Sequence, residues 1–265
     1  MVNGDGFPPE IAGEVGTGSG LPLLWAHGLT SSRAAEDAAG LFTWSPPGPL
    51  VRWDAPGHGA SRPLRRPEDA TWPRLADIML AVADGHGAEQ FIAGGASMGT
   101  ATSLWAAVTA PERVKALFLV IPPTAWETRA AQTHVYLERA AMVEEKGTAA
   151  LAEAMEAEPV PALFAPVAET MKASRREATL AADPANLAKV LRGAAASDLP
   201  DRDRIRSLRV PSLILAWEGD GGHPVTTAAA LSELLGDSEL HVASQLRDVL
   251  NWRHVADEWL AKVGD

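Results

Sequence analysis

Cysteine is absent from the 265 residues, which excludes disulfides, cysteine-ligated metal sites and a thiolate nucleophile. Covalent catalysis would fall to hydroxyl, carboxylate and imidazole groups. Positive charge is scarce as well: 23 Lys and Arg stand against 34 Asp and Glu, a net charge of −11. Affinity for phosphate backbones needs clustered cations, so nucleic acid is not an expected partner. The two basic runs, Arg62 to Arg66 and Arg202 to Arg209, are broken by proline or acids and read as solvated loop charge. No apolar run approaches the roughly 20 residues of a membrane-spanning helix, so no membrane partner is expected. The segment Met1 to Gly20 has neither the basic nor the apolar region of a secretory signal, and a cytoplasmic location is the expectation. No metal or cofactor is anticipated, and a homo-oligomer stays open.

What is present is ordinary for a globular protein: 46% hydrophobic and 22% charged residues. The length suits one large domain with an insertion. Strand-like stretches recur at Leu21 to Trp25, Leu50 to Trp53, Gln90 to Ala93, Ala116 to Ile121, Ser212 to Trp217 and Glu239 to Ala243, with helical stretches between them. That alternation predicts an α/β fold, a mainly parallel, doubly wound sheet with helices on both faces. Between Pro122 and Pro211 the pattern turns to Ala- and Glu-rich stretches, Thr124 to Glu156 and Pro184 to Ala196, interrupted by Pro159, Pro161 and Pro166. A helical cap insertion over residues 123–208 is therefore expected between two core segments, 1–122 and 209–265.

Gly95-Ala96-Ser97-Met98-Gly99 follows a predicted strand and precedes a helical run, Thr100 to Thr109. A serine on a tight strand-to-helix turn needs small neighbours, so that backbones can cross closely while its hydroxyl projects above the sheet edge. The N–H groups opening the helix point at developing negative charge, and that of Met98 is the natural oxyanion donor.

Trp25-Ala26-His27-Gly28-Leu29 and Asp54-Ala55-Pro56-Gly57-His58-Gly59-Ala60-Ser61 extend the pattern, as do Pro111-Glu112-Arg113-Val114 and Val210-Pro211 before their strands. With the Ser97 turn, these segments resemble the α/β-hydrolase superfamily over roughly residues 20–125 and 208–262. The resemblance implies a second oxyanion N–H from Leu29 and a loop-shaping role for His27 and His58. It also implies a triad acid after the strand that follows the insertion, where Asp220 fits.

The family's catalytic histidine belongs in the loop after the last strand, but that stretch reads Ser244-Gln245-Leu246-Arg247-Asp248-Val249-Leu250. His254, on or near the start of the helical stretch Val249 to Val263, is assigned with Ser97 and Asp220 to the catalytic set. His223, three residues after Asp220, is placed with Leu29, Met98, His27 and Trp126 around the oxyanion and substrate, and is the other candidate for the base.

Trp25, Trp53, Trp126 and Trp217 all fall near predicted carboxyl ends of strands, where ligands bind in open α/β sheets, so an aromatic-walled pocket is expected. The leading functional expectation is a serine hydrolase that cleaves a small apolar ester, lactone or related acyl compound through an acyl-enzyme on Ser97. The rival is a non-hydrolytic protein of the same fold, binding a ligand or promoting a lyase or isomerase step with an incomplete triad.

Overall fold

The computed structural model describes residues 5–40 and 42–264. Seven strands form one sheet in the order β1-β3-β2-β4-β5-β6-β7. They are β1 (Gly13–Val15), β2 (Leu23–Ala26), β3 (Leu50–Trp53), β4 (Phe91–Ala96), β5 (Val114–Val120), β6 (Ser212–Trp217) and β7 (Ser238–Ala243). All neighbours pair in parallel except β1, which runs antiparallel to β3. The sequence reading did not anticipate β1. Its short Gly-Glu-Val core, half exposed at the sheet edge, carries no periodicity to detect.

The helices are α1 (Arg33–Ala39), α2 (Trp72–Gly85), α3 (Met98–Thr109), α4 (Arg129–Glu156), α5 (Ala168–Ala181), α6 (Pro184–Ala195), α7 (Arg202–Arg206), α8 (Val225–Leu235), α9 (Leu246–Leu250) and α10 (Trp252–Val263). None among the described residues is long and apolar enough to cross a membrane.

The central strands β2, β4 and β6 are buried at every position, as expected of parallel strands covered on both faces. On one face Leu24, Val51, Ala93 and Leu117 pack under Leu75, Met79, Leu104 and Leu231 of α2, α3 and α8. On the other, Leu23, Trp25, Ile92 and Phe118 pack under Trp252, Trp259 and Leu260 of α10.

The segment between β5 and β6 is helical, with a 3-10 turn at Ala162–Val167 where the prolines cluster. Gly147 (φ 80°, ψ 176°) bends α4, and Asp183 caps α6 by accepting from the Asn186 N–H at 2.7 Å. Asn186 then accepts from the Leu64 N–H at 2.8 Å and donates to the Gly57 carbonyl at 2.5 Å, tying α6 to the loop after β3.

The two ends of this segment are fastened by Arg129. Its guanidinium is buried, donates to the carbonyls of Ser197 (2.7 Å) and Ala194 and to Thr124 Oγ1 (3.2 Å), and lies over the rings of Trp72 and Tyr136. Ala194 closes the carboxyl-terminal turn of α6, where the helix dipole favours a cation.

A second buried charge sits under β2. Glu36 of α1 accepts from Trp25 Nε1 at 2.9 Å and stands 3.8 Å from Arg52. Burial raises its carboxyl from the usual 4.5 to about 7, against the lowering effects of Trp25 and Arg52. The stability linked to that proton is complete below pH 4.5 and is lost as pH rises through about 7. In Glu36→Gln the amide oxygen can keep the indole bond while the titration disappears. Between pH 5 and 8 the parent protein is expected to lose about 3 kcal/mol more unfolding free energy than this variant. Urea midpoints at the two pH values measure the difference, and equal losses would contradict it.

Candidate active site

The site is assembled where the chain leaves β4. Ser97 has φ 52° and ψ −108°, a conformation costing an L-residue about 1–3 kcal/mol. It is held there by close packing. A Cβ on Gly99 would lie 1.9 Å from the Ala26 carbonyl oxygen, and one on Gly95 would lie 2.5 Å from that same oxygen. The Ser97 N–H donates to the Val120 carbonyl at 2.9 Å. Thr100 is fully buried with its hydroxyl 3.0 Å from the carbonyls of Gly95 and Val120. It fastens the first turn of α3 back onto the sheet.

Ser97 Oγ lies 2.7 Å from Nε2 of His223, and Nδ1 of the same ring lies 2.9 Å from Oδ2 of Asp220. The structure therefore brings together Ser97, His223 and Asp220 in one hydrogen-bonded chain. Asp220 and His223 share a single turn after β6. The Gly222 N–H donates to Asp220 Oδ1 at 2.9 Å, the His223 N–H donates to the Asp220 carbonyl at 3.2 Å, and the Gly222 carbonyl accepts from the Thr124 N–H at 3.0 Å. An aspartate that accepts from the backbone two residues on is the usual way such a turn is locked. Partial burial works to raise the Asp220 carboxyl, but the His223 hydrogen bond and charge, the Trp217 N–H and the Gly222 N–H together hold it well below the usual carboxylate range.

His254 is not brought to this site. It lies exposed on α10 with Nε2 3.4 Å from Glu258. The buried positions of that helix are Trp252, Ala256, Trp259 and Leu260, and residue 254 projects from the opposite side. The family's histidine loop after β7 holds a helix cap instead: Asp248 Oδ2 accepts from the N–H groups of Ser244 and Gln245, opening α9.

His27 and His58 have no ring nitrogen to spare. His27 Nδ1 donates to the Gly28 carbonyl at 2.8 Å while Nε2 accepts from the Ala55 N–H at 2.9 Å. His58 Nδ1 donates to the Pro56 carbonyl at 3.1 Å and Nε2 accepts from the Thr30 N–H at 3.3 Å. These partners fix one neutral tautomer for each ring. Burial pushes both downward, His58 to about 3 with the neighbouring His27 adding to the effect. Together the two imidazoles hold the Gly28-Leu29-Thr30 loop in place.

That loop passes beside the serine: a Cβ on Gly28 would stand 3.7 Å from Ser97 Cβ. Met98 opens α3, so its N–H has no acceptor within the helix. The Leu29 side chain packs against Leu64 and Val190 and against the α4 and α6 cluster of Ala140, Leu187 and Leu191.

The expected aromatic wall does not form. Trp25 is buried against Phe118, Trp44 and Glu36 on one face of the sheet, and Trp53 is buried on the other. Side chains at a strand end point to the faces of the sheet rather than over its edge. Trp126 does not stand in the site either. Its N–H and indole N–H are bound by Asp198 and Pro200 at the far end of the helical segment, under the Arg202 guanidinium. Of the four, only Trp217 touches the Asp220 turn, its Nε1 donating to Asp220 Oδ2 at 3.0 Å.

Comparison with known proteins places this geometry. Residues 50–255 match the family model described as the alpha/beta hydrolase fold. A proline iminopeptidase from Neisseria meningitidis is 36% identical over 111 residues, 40% of this chain and 34% of the relative, so the match spans about a third of that protein's length. A thermophilic esterase from Thermogutta terrifontis superposes with a TM-score of 0.73 at 23% identity, covering 96% of this chain and 94% of that one. The enol-lactonase from Burkholderia xenovorans gives 0.74 at 19% identity, covering 94% and 93%. At these identities the two structures are similar in fold.

The crossing at the elbow gives a paired test. Gly99→Ala sets a methyl 1.9 Å from the Ala26 oxygen and is expected to cost about 3 kcal/mol or more of stability. Gly28→Ala meets only ordinary contacts at 3.6 and 3.7 Å, so it should change stability by about 1 kcal/mol or less while crowding the approach to Ser97. Thermal unfolding of the two variants should separate them clearly, and equal stabilities would contradict the close crossing.

Proposed function

The chain belongs to the α/β-hydrolase fold family, and on that footing we propose that it is a serine hydrolase cleaving a small apolar ester, lactone or related acyl compound. The observation that carries this reading is the unbroken hydrogen-bond chain from Ser97 Oγ through His223 to Asp220. A serine is a weak nucleophile alone and becomes a strong one when a positioned imidazole takes its proton in the transition state.

His223 Nε2 accepts the Ser97 proton as Oγ bonds to the substrate carbonyl carbon. The negative charge gathering on the carbonyl oxygen is met by the N–H groups of Met98 and Leu29. Asp220 stabilises the imidazolium and keeps Nδ1 protonated, so that Nε2 faces the serine. Collapse of the tetrahedral intermediate breaks the bond to the leaving oxygen, which takes the proton back from His223. Water, deprotonated by the same nitrogen, then releases the acid and restores Ser97.

An apolar substrate is supported by what surrounds the relay. The loop that carries Leu29 passes beside the serine at Gly28, the Leu29 side chain joins an apolar cluster of the helical segment, Phe164 and Trp217 pack edge to face beside the Asp220 turn, and the histidines under the loop are neutral. The helical segment between β5 and β6 acts as the cap, reaching the site at Phe164 on one side and at the contacts with Leu29 on the other. The names carried by similar proteins, an esterase and an enol-lactonase among them, point the same way. The non-hydrolytic reading drew its support from the missing histidine after β7, and an imidazole 2.7 Å from Ser97 Oγ removes that support.

A fluorophosphonate probe is expected to modify the protein once, and Ser97→Ala to abolish both labelling and hydrolysis of short p-nitrophenyl esters. His223→Ala should lower kcat by on the order of 10⁴-fold or more, whereas His254→Ala should stay within about twofold of the parent, as expected of an exposed pair. If His254→Ala were the damaging change and His223→Ala harmless, the assignment of the base would be wrong.

A further inference from the structure

Asp220 Oδ2 accepts two hydrogen bonds, one from His223 Nδ1 at 2.9 Å and one from Trp217 Nε1 at 3.0 Å. The indole is itself immobilised. Its ring stacks on Trp252 at 5.6 Å with an interplanar angle of 3°, meets the edge of Phe164 at 4.8 Å and 88°, and is 7% exposed. Trp252 opens α10 and Phe164 belongs to the helical segment between β5 and β6. The donor on Oδ2 is thus fixed from two directions by parts of the chain distant from the turn.

We propose that Trp217 is a positioning residue for the relay: its N–H aims Asp220 Oδ2 at His223 and takes a share of the carboxylate charge that would otherwise fall on the imidazole. The proposal rests on the reading of Ser97, His223 and Asp220 as the catalytic relay. A carboxylate held only by the Gly222 N–H on Oδ1 keeps freedom to turn about its Cβ–Cγ bond. The second donor removes that freedom, which converts a flexible acid into a fixed one. Charge-assisted bonds of this kind are the stronger ones, and here the indole and the imidazole divide the charge of one carboxylate oxygen.

Among the described residues, Asp220 and His223 bond to one another, Ser97 of the elbow meets His223, and the side chains that pack on the Trp217 ring, Phe164 and Trp252, are uncharged. Glu218, in the same loop, is exposed.

The test replaces the donor and leaves the ring. Trp217→3-benzothienylalanine exchanges the indole N–H for sulfur with the shape retained, and Trp217→Phe is the encoded counterpart. Two readouts are taken: ester hydrolysis against pH, and the NMR titration of the His223 ring in the free protein. Loss of one charge-assisted hydrogen bond should lower kcat about tenfold, with KM within about twofold. The undiluted carboxylate charge should move the His223 titration and the acid limb of the pH profile upward together.

A parent-like kcat with an unmoved His223 titration overturns the proposal. So does a fall in kcat with the titration unmoved, which would assign Trp217 to packing alone. The NMR readout also separates the two levels of the reading. A shifted His223 titration in a protein whose parent turns over no ester upholds the role of Trp217 toward Asp220 and His223 and rejects hydrolysis.

Discussion

The contact between the Ala26 carbonyl and Gly99 is the constraint on which the site depends. No side chain fits between the end of β2 and the first turn of α3. That proximity forces the chain to leave β4 through the positive φ of Ser97, and it sets the loop after β2 beside the serine. The strain at Ser97 is stored against packing elsewhere, as active-site strain generally is. Thr100 adds to the hold with its hydroxyl on the sheet carbonyls. The two neutral histidines serve the same end from below, since each spends one ring nitrogen on a carbonyl and the other on a backbone N–H.

Against this fixed serine the protein sets a carboxylate and an imidazole from one short turn. Asp220 and His223 are three residues apart, while His223 and Ser97 are separated by 126. Their mutual geometry is therefore a property of one turn, locked by the Gly222 N–H and by the tie from Thr124. The loop after β7, which holds the base in the family pattern, is released from that duty and closes into the cap of α9.

Much of this was legible in the sequence. Six of the strands, the elbow with Met98 at the head of its helix, the His-Gly loop and the place of Asp220 all read from local signals: apolar runs, small residues at a turn, and an aspartate before glycines. β1 was not legible, because three residues at a sheet edge carry no pattern. His254, expected in the catalytic set, stands away from Ser97 for a different reason. The family template points to the loop after β7, and His254 is the nearest histidine in sequence to that loop. Helical phase alone could have set it aside, since residue 254 lies two positions from the buried Trp252 and two from the buried Ala256, on the outer face. The signal for His223 was also present: Asp-Gly-Gly-His is a turn in which the side chains at both ends can meet. The tryptophans failed as pocket markers because position at a strand end does not settle direction. Trp25 and Trp53 turn to opposite faces of the sheet, and Trp126 is tied by its two N–H groups to Asp198 and Pro200.

The short acid-to-base spacing also changes what motion can do to the site. In a relay whose acid and base come from separate loops, displacement of either loop breaks the bond between them. Here both stand on one turn, and the distance that spans separate parts of the chain is the one between His223 and Ser97. The serine side of that distance is rigid, because β4 is buried throughout and the elbow is packed against Ala26. The turn, by contrast, is partly exposed, with about a fifth of each of the Asp220 and His223 side chains open, and glycines at 221 and 222 give its backbone little resistance. Its anchors lie outside itself: Thr124 at the entry to the helical segment, and Trp217 clamped between Phe164 and Trp252. The two ends of that segment are joined through Arg129, which binds Thr124 at one end and the carbonyls of Ala194 and Ser197 at the other. The helical segment thus meets the Asp220 turn at two points, through the Thr124 N–H on the Gly222 carbonyl and through Phe164 on the Trp217 ring.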